Sequence, residues 1–188
     1  VWGKIGSTRR NDIRRAEKKG VEVGQGDVSQ LGDYHGMLCD TLGRSGRVPL
    51  RLSFLQRLLG AMLPARTATF LVARVEGLTV AGAILLHSAT RTLYWSGASS
   101  EQGRGTAANV LVQWMGILDA RERGSLAYDF LGIDPRLPGV SAFKEGFGGT
   151  SATYCSAVKR TAVGEMVRAA GALRHPGRAI RRLLGKSK

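Results

Sequence analysis

Three groups of residues in this chain carry types and spacings that suit chemistry. The first lies in Leu126 to Gly149, LAYDFLGIDPRLPGVSAFKEGFGG. Leu126 to Leu131 alternates apolar and aromatic residues as a strand does, with Asp129 set into it. Gly132, Pro135, Pro138 and Gly139 break the backbone into a loop. A short apolar turn, Val140 to Phe143, then delivers Lys144 beside the aromatics Phe143 and Phe147. Gly146, Gly148 and Gly149 bend the chain back toward another strand, and such glycines cost entropy without adding packing surface. An acid at a strand end, a loop and a lysine against two aromatics is an arrangement that serves a site. The alternative is a glycine-rich connection with a solvated lysine.

The second group is Gln102-Gly103-Arg104-Gly105-Thr106-Ala107, flexible backbone at the N-terminus of a helix, where unpaired N–H groups can hold a phosphate. Glycine and small residues before a helix also mark a plain turn. The third group is basic. Lys4 to Lys19 holds Arg9, Arg10, Arg14, Arg15 and Lys18, and Arg174 to Lys188 holds Arg178, Arg181, Arg182 and Lys186. Across 188 residues, 28 lysines and arginines against 14 acids leave a formal charge of +14. A field of that sign attracts nucleic acid, nucleotide phosphates or an anionic membrane face. The tail's other reading is a solvated helix that keeps the protein soluble.

Other chemistries find little support. His35, His87 and His175 sit in unrelated segments, and His87 reads as a surface residue at a strand end. Cys39 and Cys155 match no CxxC or zinc-finger spacing and read as buried thiols, with a single disulfide as the other option. Nothing demands a metal. The apolar content of 43% is ordinary, and Leu78 to Leu86 is of strand length, too short to span a bilayer as a helix. The chain opens on Val1, which reads as a fragment of something longer, with cytoplasm as the default compartment.

The elements that position these groups follow from periodicity. Asn11 or Asp12 is expected to cap a helix running to Lys19, and Gly20 to end it. Val21 to Val23 is a short strand. Leu31 to Leu42 is helical, and Ser53 caps a second apolar helix that stops at Pro64. The period then changes: Ala68 to Val75, Leu78 to Ser88 and Arg91 to Ser96 form an antiparallel meander. A longer helix from Thr106 to Arg123 buries Ala108, Leu111, Val112, Met115 and Leu118. Leu126 to Leu131 is the central strand, Thr153 to Lys159 a last strand, Val163 to Leu173 a helix, and Pro176 opens a final basic helix. Residues 1–173 are expected to form one domain, with 1–20 as a basic lead-in helix and 174–188 as a basic helix or tail.

This order gives an α+β domain with helices on a mixed, mostly antiparallel sheet. It is similar to the acyltransferase fold of the N-acetyltransferase (GNAT) superfamily. The spacing Q-x-x-G-x-A at Gln102 to Ala107 resembles the pyrophosphate loop of acyl-coenzyme A-dependent members, which implies a phosphate site at Gln102, Gly103, Arg104 and Gly105.

A second resemblance covers nearly the whole chain. K-x-x-x-x-RR-x-x-IRRAEKKGVEV at Lys4 to Val23, YWSGAS at Tyr94 to Ser99, and W-x-x-x-x-x-A-x-x-x-G ending at Gly124 occur in order. AYDFLGI at Ala127 and FKEGFGG at Phe143 complete the series, which resembles the Fem family of peptidoglycan bridge-forming aminoacyltransferases. Members generally hold two acyltransferase-like domains, and this chain resembles the second, which implies either an enzyme or a non-catalytic tRNA- or precursor-binding half of a longer one. The family moves an amino acid from aminoacyl-tRNA onto an amine of a cell-wall precursor peptide. The resemblance therefore implies aminoacyl-tRNA as donor substrate, a precursor peptide as acceptor and no bound cofactor.

By the same resemblance Phe143 faces the terminal adenosine or the ester, and Lys144 stabilises charge on the ester carbonyl or the departing ribose oxygen. Aminolysis of an ester passes through an anionic tetrahedral species, and a fixed cation beside it lowers the barrier. Lysine supplies such a point charge on a flexible stem. Tyr128 and Asp129 point to opposite faces of their strand. Asp129 either accepts a hydrogen bond from the incoming amine, holds Lys144, or satisfies backbone N–H groups where the sheet opens. Tyr128, Gly146, Phe147 and Gly148 fall to substrate or tRNA contact, and Arg14 and Arg15 to phosphate contacts that position a polyanion. The basic tail would do likewise or lie on an anionic membrane surface at the inner face.

Overall fold

Strands with apolar residues on both faces organise the molecule, in a computed structural model that describes residues 1–132 and 138–153. β1 (Glu22–Gln25), β2 (Ala68–Val75), β3 (Leu78–His87), β4 (Arg91–Ser99) and β5 (Ala127–Asp129) form one sheet in that order. The first four pair antiparallel, and β5 runs parallel to β4. Glu76 and Gly77 join β2 to β3 with φ of 51° and 79°, the backbone a tight hairpin needs.

Alternation along β2 divides its side chains between two layers. Leu71, Ala73 and Val75 face one cluster, while Ala68, Phe70 and Val72 face the other. α1 (Ser7–Lys18) and α5 (Ala108–Glu122) cover the first face through Ile13, Ala16, Leu111 and Val112. α2 (Leu31–Gly43) and α3 (Leu52–Met62) cover the second through Leu31, Tyr34, Leu55 and Leu59. The mixed sheet flanked by helices is the expected α+β class. Two further helices, α4 (Glu101–Gly105) and α6 (Pro138–Glu145), lie beside the end of β4 and after β5.

Several local expectations are corrected. α1 begins at Ser7 with Gly6 as its cap, so Asn11 and Asp12 lie inside it. Asp12 there bonds Arg9 at 2.9 Å and Arg15 at 3.0 Å, one turn away on either side. Ser53 lies within α3, whose cap position is Arg51. On α5 the buried residues are Ala108, Val110 to Gln113, Gly116, Ile117 and Ala120, while Met115 and Leu118 are only half-buried. That helix is sandwiched between the sheet and α1, so its buried face is wider than an apolar stripe. β5 spans three residues and Leu126 before it is exposed. Lys144 lies on a helix, α6, rather than after a turn.

All of these elements belong to the unit Val1–Thr150, and a second unit runs Ser151–Lys188. The expected strand at 153–159, the helices beyond it, the basic tail, Cys155 and His175 lie outside the described residues. Among the described residues no helix is long and apolar enough to cross a membrane.

Candidate active site

A bulge in β4 opens the sheet. Ile84 pairs with Ser96 and Leu85 with Tyr94, which leaves Trp95 without a partner on β3. An extra residue of this kind bends its strand and re-aims the neighbouring side chains. Tyr94 accordingly packs with the α1/α5 layer and Trp95 with the α2/α3 layer. Gly97 completes the bend, since a Cβ there would overlap the Tyr94 hydroxyl. Tyr34 of α2, wholly buried, donates its hydroxyl to Ser96 Oγ at 2.8 Å and ties that helix to the bulge.

The bulged half of β4 forms one wall of a cleft of about 750 Å³. The first turns of α5 supply Asn109, Val112 and Gln113, and the end of α2 with its following loop supplies Leu42, Arg44, Arg47 and Leu50. α6 and the end of β5 close it with Phe130, Gly132, Phe143 and Lys144. Among the described residues, the charged side chains that line it are Arg44, Arg47, Arg104 and Lys144, and no carboxylate does.

Lys144 is held by backbone. Its Nζ donates to the Gly132 carbonyl at 2.8 Å and lies 3.5 Å from that of Leu131. Leu131 has φ of 58°, a left-handed conformation for a branched residue. Its N–H donates to Asp129 Oδ1 at 2.7 Å, which secures that turn. Burial lowers the Lys144 pKa below its ordinary 10.5, while the Asp129 charge opposes the shift. Asp129 thus serves both the backbone where the sheet opens and, through it, the lysine. Its Oδ2 is 3.7 Å from Arg91, and the residue does not line the cleft.

Phe143 lies between the Arg9 guanidinium, 5.1 Å from its ring centre, and the Phe147 ring at 5.5 Å. Phe147 is buried against Phe130. Gly146 accepts the Gly6 N–H at 3.0 Å, and a Cβ on it would press Arg9. Gly148 has φ of 77°, and a Cβ on it would overlap the Lys4 carbonyl. Gly146, Phe147 and Gly148 therefore clasp the N-terminal segment and brace α6 from behind the cleft. Tyr128 also stands outside it and donates to Gln113 Oε1 at 2.9 Å. Gln113, 2% exposed, reaches from there toward Tyr94, whose phenol burial pushes up to about 12.

The glycine segment after β4 is not open backbone. Residues 101–105 form α4, Ser100 caps it by accepting from Gly103 N–H at 3.1 Å, and a Cβ on Gly103 would overlap the Val80 carbonyl. The N–H groups of Arg104, Thr106 and Ala107 go to the carbonyls of Ser100, Gln102 and Arg104. Of this segment Arg104 reaches the cleft; Gln102, Gly103 and Gly105 do not. Arg14 and Arg15 are also apart from it. Arg14 stands over Trp2 at 5.7 Å from the ring centre, and Arg15 pairs with Asp12.

The structure thus brings Lys144, Phe143 and Arg104 together. Sequence reasoning missed Arg44, Arg47, Asn109 and Gln113, which come from distant segments. One signal was present: Arg44 and Arg47 lie in the connection 44–51, which carries Gly46 and Pro49, and connections of this kind often line a site.

The stretch 7–145 matches the family described as acetyltransferase (GNAT) domain. No curated protein matches the sequence. Among solved structures FemX is similar with a TM-score of 0.71 at 19% identity, over 78% of this chain and 54% of FemX. This chain therefore spans about half of that protein. A possible acetyltransferase from Clostridium difficile 630 reaches 0.61 at 13% identity, over 75% and 97% of the two chains. The ribosomal-protein-alanine N-acetyltransferase from Brucella melitensis biovar Abortus 2308 reaches 0.55 at 17%, over 75% and 99%. At such identities these likenesses speak for the fold, whereas the matched stretch covers most of the chain: it belongs to the acetyltransferase (GNAT) domain family.

Proposed function

We propose that this acyltransferase domain moves an amino acid from aminoacyl-tRNA onto an amine of a peptidoglycan-precursor peptide. The observation that carries the reading is Lys144, half-buried beside Phe143 in a cleft whose other charged side chains, among the described residues, are arginines. An acceptor amine attacks the ester carbonyl carbon, and the oxyanion that forms lies within reach of the Lys144 ammonium. The C–O bond to the ribose then breaks, an amide remains, and the proton lost by the amine ends on the ribose oxygen. With no carboxylate among the described lining residues, that oxygen is a fitting acceptor for the proton. Arg104, which lines the cleft, suits a phosphate of a polyanionic donor. The Fem-like motifs and the likeness to FemX support the same choice.

A coenzyme A donor is the second reading, favoured by the family and by Arg104 at the cleft edge. Against it, the N–H groups of Gly103, Arg104, Thr106 and Ala107 are already bonded within the chain, and a pyrophosphate needs such donors free. Gly105 separates the two, since nothing lies within 4 Å of a Cβ there. The test supplies labelled aminoacyl-tRNA with a soluble precursor peptide, and in parallel labelled acetyl-coenzyme A. Transfer from tRNA that survives Gly105→Val and collapses in Lys144→Ala is expected. Transfer from the coenzyme alone, lost in Gly105→Val, would overturn the proposal.

A further inference from the structure

From Thr41 to Val75 the chain has six arginines, Arg44, Arg47, Arg51, Arg57, Arg66 and Arg74, and no acid. Its first part, the α2–α3 connection and the opening of α3, also exposes large apolar side chains. Val48 is 68% exposed, Leu50 46% and Phe54 42%. Arg44, Arg47, Arg51 and Arg57 are exposed among them, and none forms an ion pair with a described residue. Exposed apolar groups interleaved with arginines serve poorly as a plain solvated surface: water disfavours the first, and no described acid neutralises the second.

The place of this patch in the fold matters. Val48 and Leu50 line the mouth of the cleft with Arg44 and Arg47. Leu131 and Val140, 41% and 43% exposed, line the same cleft. The rim of the cleft is thus apolar and basic at once. Apolar side chains enter the boundary between headgroups and acyl chains, while arginines beside them meet anionic headgroups. A nucleic acid would take the arginines and leave Val48, Leu50 and Phe54 in water; an anionic lipid surface takes both.

We propose that the α2–α3 edge is a peripheral membrane contact, which sets the mouth of the cleft against an anionic bilayer. The contact holds whichever donor the cleft takes. Under the aminoacyl-transfer reading it would bring a membrane-bound, amphipathic acceptor to the rim. The surface differs from the basic tail at 174–188, and the two can be told apart.

The test is sedimentation of the full chain with phosphatidylcholine vesicles, with and without phosphatidylglycerol. Binding is expected with the anionic vesicles and near none with the neutral ones, and it weakens as salt screens the arginines. Arg47→Ala and Arg51→Ala should each lower partitioning roughly fivefold. Val48→Asp/Leu50→Asp/Phe54→Asp should abolish it while circular dichroism stays that of the parent. As a second readout, Phe54→Trp should give a blue-shifted component that brominated lipid quenches beyond the parent's own tryptophans. Unchanged vesicle binding by the triple Asp variant would overturn the proposal and assign the contact to the tail. Equal binding to neutral vesicles, or a parent dimer that the triple variant dissolves, would overturn it as well. No transfer reaction enters these measurements, so their failure leaves the donor question untouched.

Discussion

The two ends of the β3–β4 ladder treat polar side chains in opposite ways. Near the turn that links the strands, His87 Nδ1 lies 3.0 Å from Thr92 Oγ1, and its Nε2 lies 2.8 Å from Thr69 Oγ1. Thr69 donates to Asp119 Oδ2 and accepts from Arg123, which also bonds Asp119 at 2.8 Å. Thr92 and Ser125 complete the set. A neutral imidazole with its proton on Nε2 fits every one of these bonds, a tautomer assigned from the network. Burial and the Arg123 charge both lower the His87 pKa. Past the mid-strand bulge, where the register shifts by one residue and pairing runs on to Ala81 and Ser99, Arg104, Lys144, Asn109 and Gln113 line a cleft instead. A closed polar network holds the fold together at one end, and the site lies beyond the register shift at the other.

Perturbing each end tests this division. The largest effect is expected from Lys144→Ala, which should lower kcat by about 10²–10³-fold in the aminoacyl-transfer assay, the usual cost of removing one oxyanion-stabilising group. Urea unfolding should barely register that change. The reverse holds for Asp119→Ala at the closed end. Arg123, Thr69 and His87 lose their common partner, so stability should fall by about 1–3 kcal/mol while kcat per folded molecule stays near that of the parent. A variant that unfolds the protein and one that silences it would thus sit at opposite ends of the same strands.

Gly148→Ala sharpens the picture from behind the cleft. A positive φ and an overlap with Lys4 should cost more than about 1 kcal/mol, read by denaturation, because the brace of α6 is strained. The pH responses are smaller and differ in sign. His87 has a folded pKa below its unfolded value near 6.5, so the unfolded chain binds the proton first as pH falls. Stability should be full above 6.5 and decline below it until the folded His87 itself titrates, and His87→Gln should flatten that slope. At the cleft, activity should fall on the alkaline side as Lys144 loses its proton below its ordinary 10.5. Asp129→Asn removes the charge that opposes the shift, and should move that limb of the kcat–pH profile to still lower pH. A limb that stays in place would leave Asp129 a purely structural residue.

Much of this could be read along the chain. The meander, its hairpin at Glu76 and Gly77, the apolar helices and the lysine after Phe143 all follow from local period and turn chemistry, which neighbours in sequence decide. His87 was expected at the surface because it ends a strand. Its side chain is instead 8% exposed, covered by α5 residues more than thirty positions away. The glycine segment read along the chain as either a phosphate loop or a plain turn; in the fold its glycines let a helical turn pack on Val80, and the N–H groups of Arg104, Thr106 and Ala107 bond within the chain.

The sequence by itself determined the order of most helices and strands, the surplus of positive charge and the motif that holds Phe143 and Lys144. Tertiary structure alone decided which cations share a cleft and which lie behind it. Arg47, Arg104 and Lys144 are brought to one cavity by the register of β4 and the packing of α2 and α5, whereas Arg14 and Arg15 are drawn away by the packing of α1 on α5. Charge is a property of a residue, but convergence belongs to the fold, because it depends on contacts between segments that no local pattern connects.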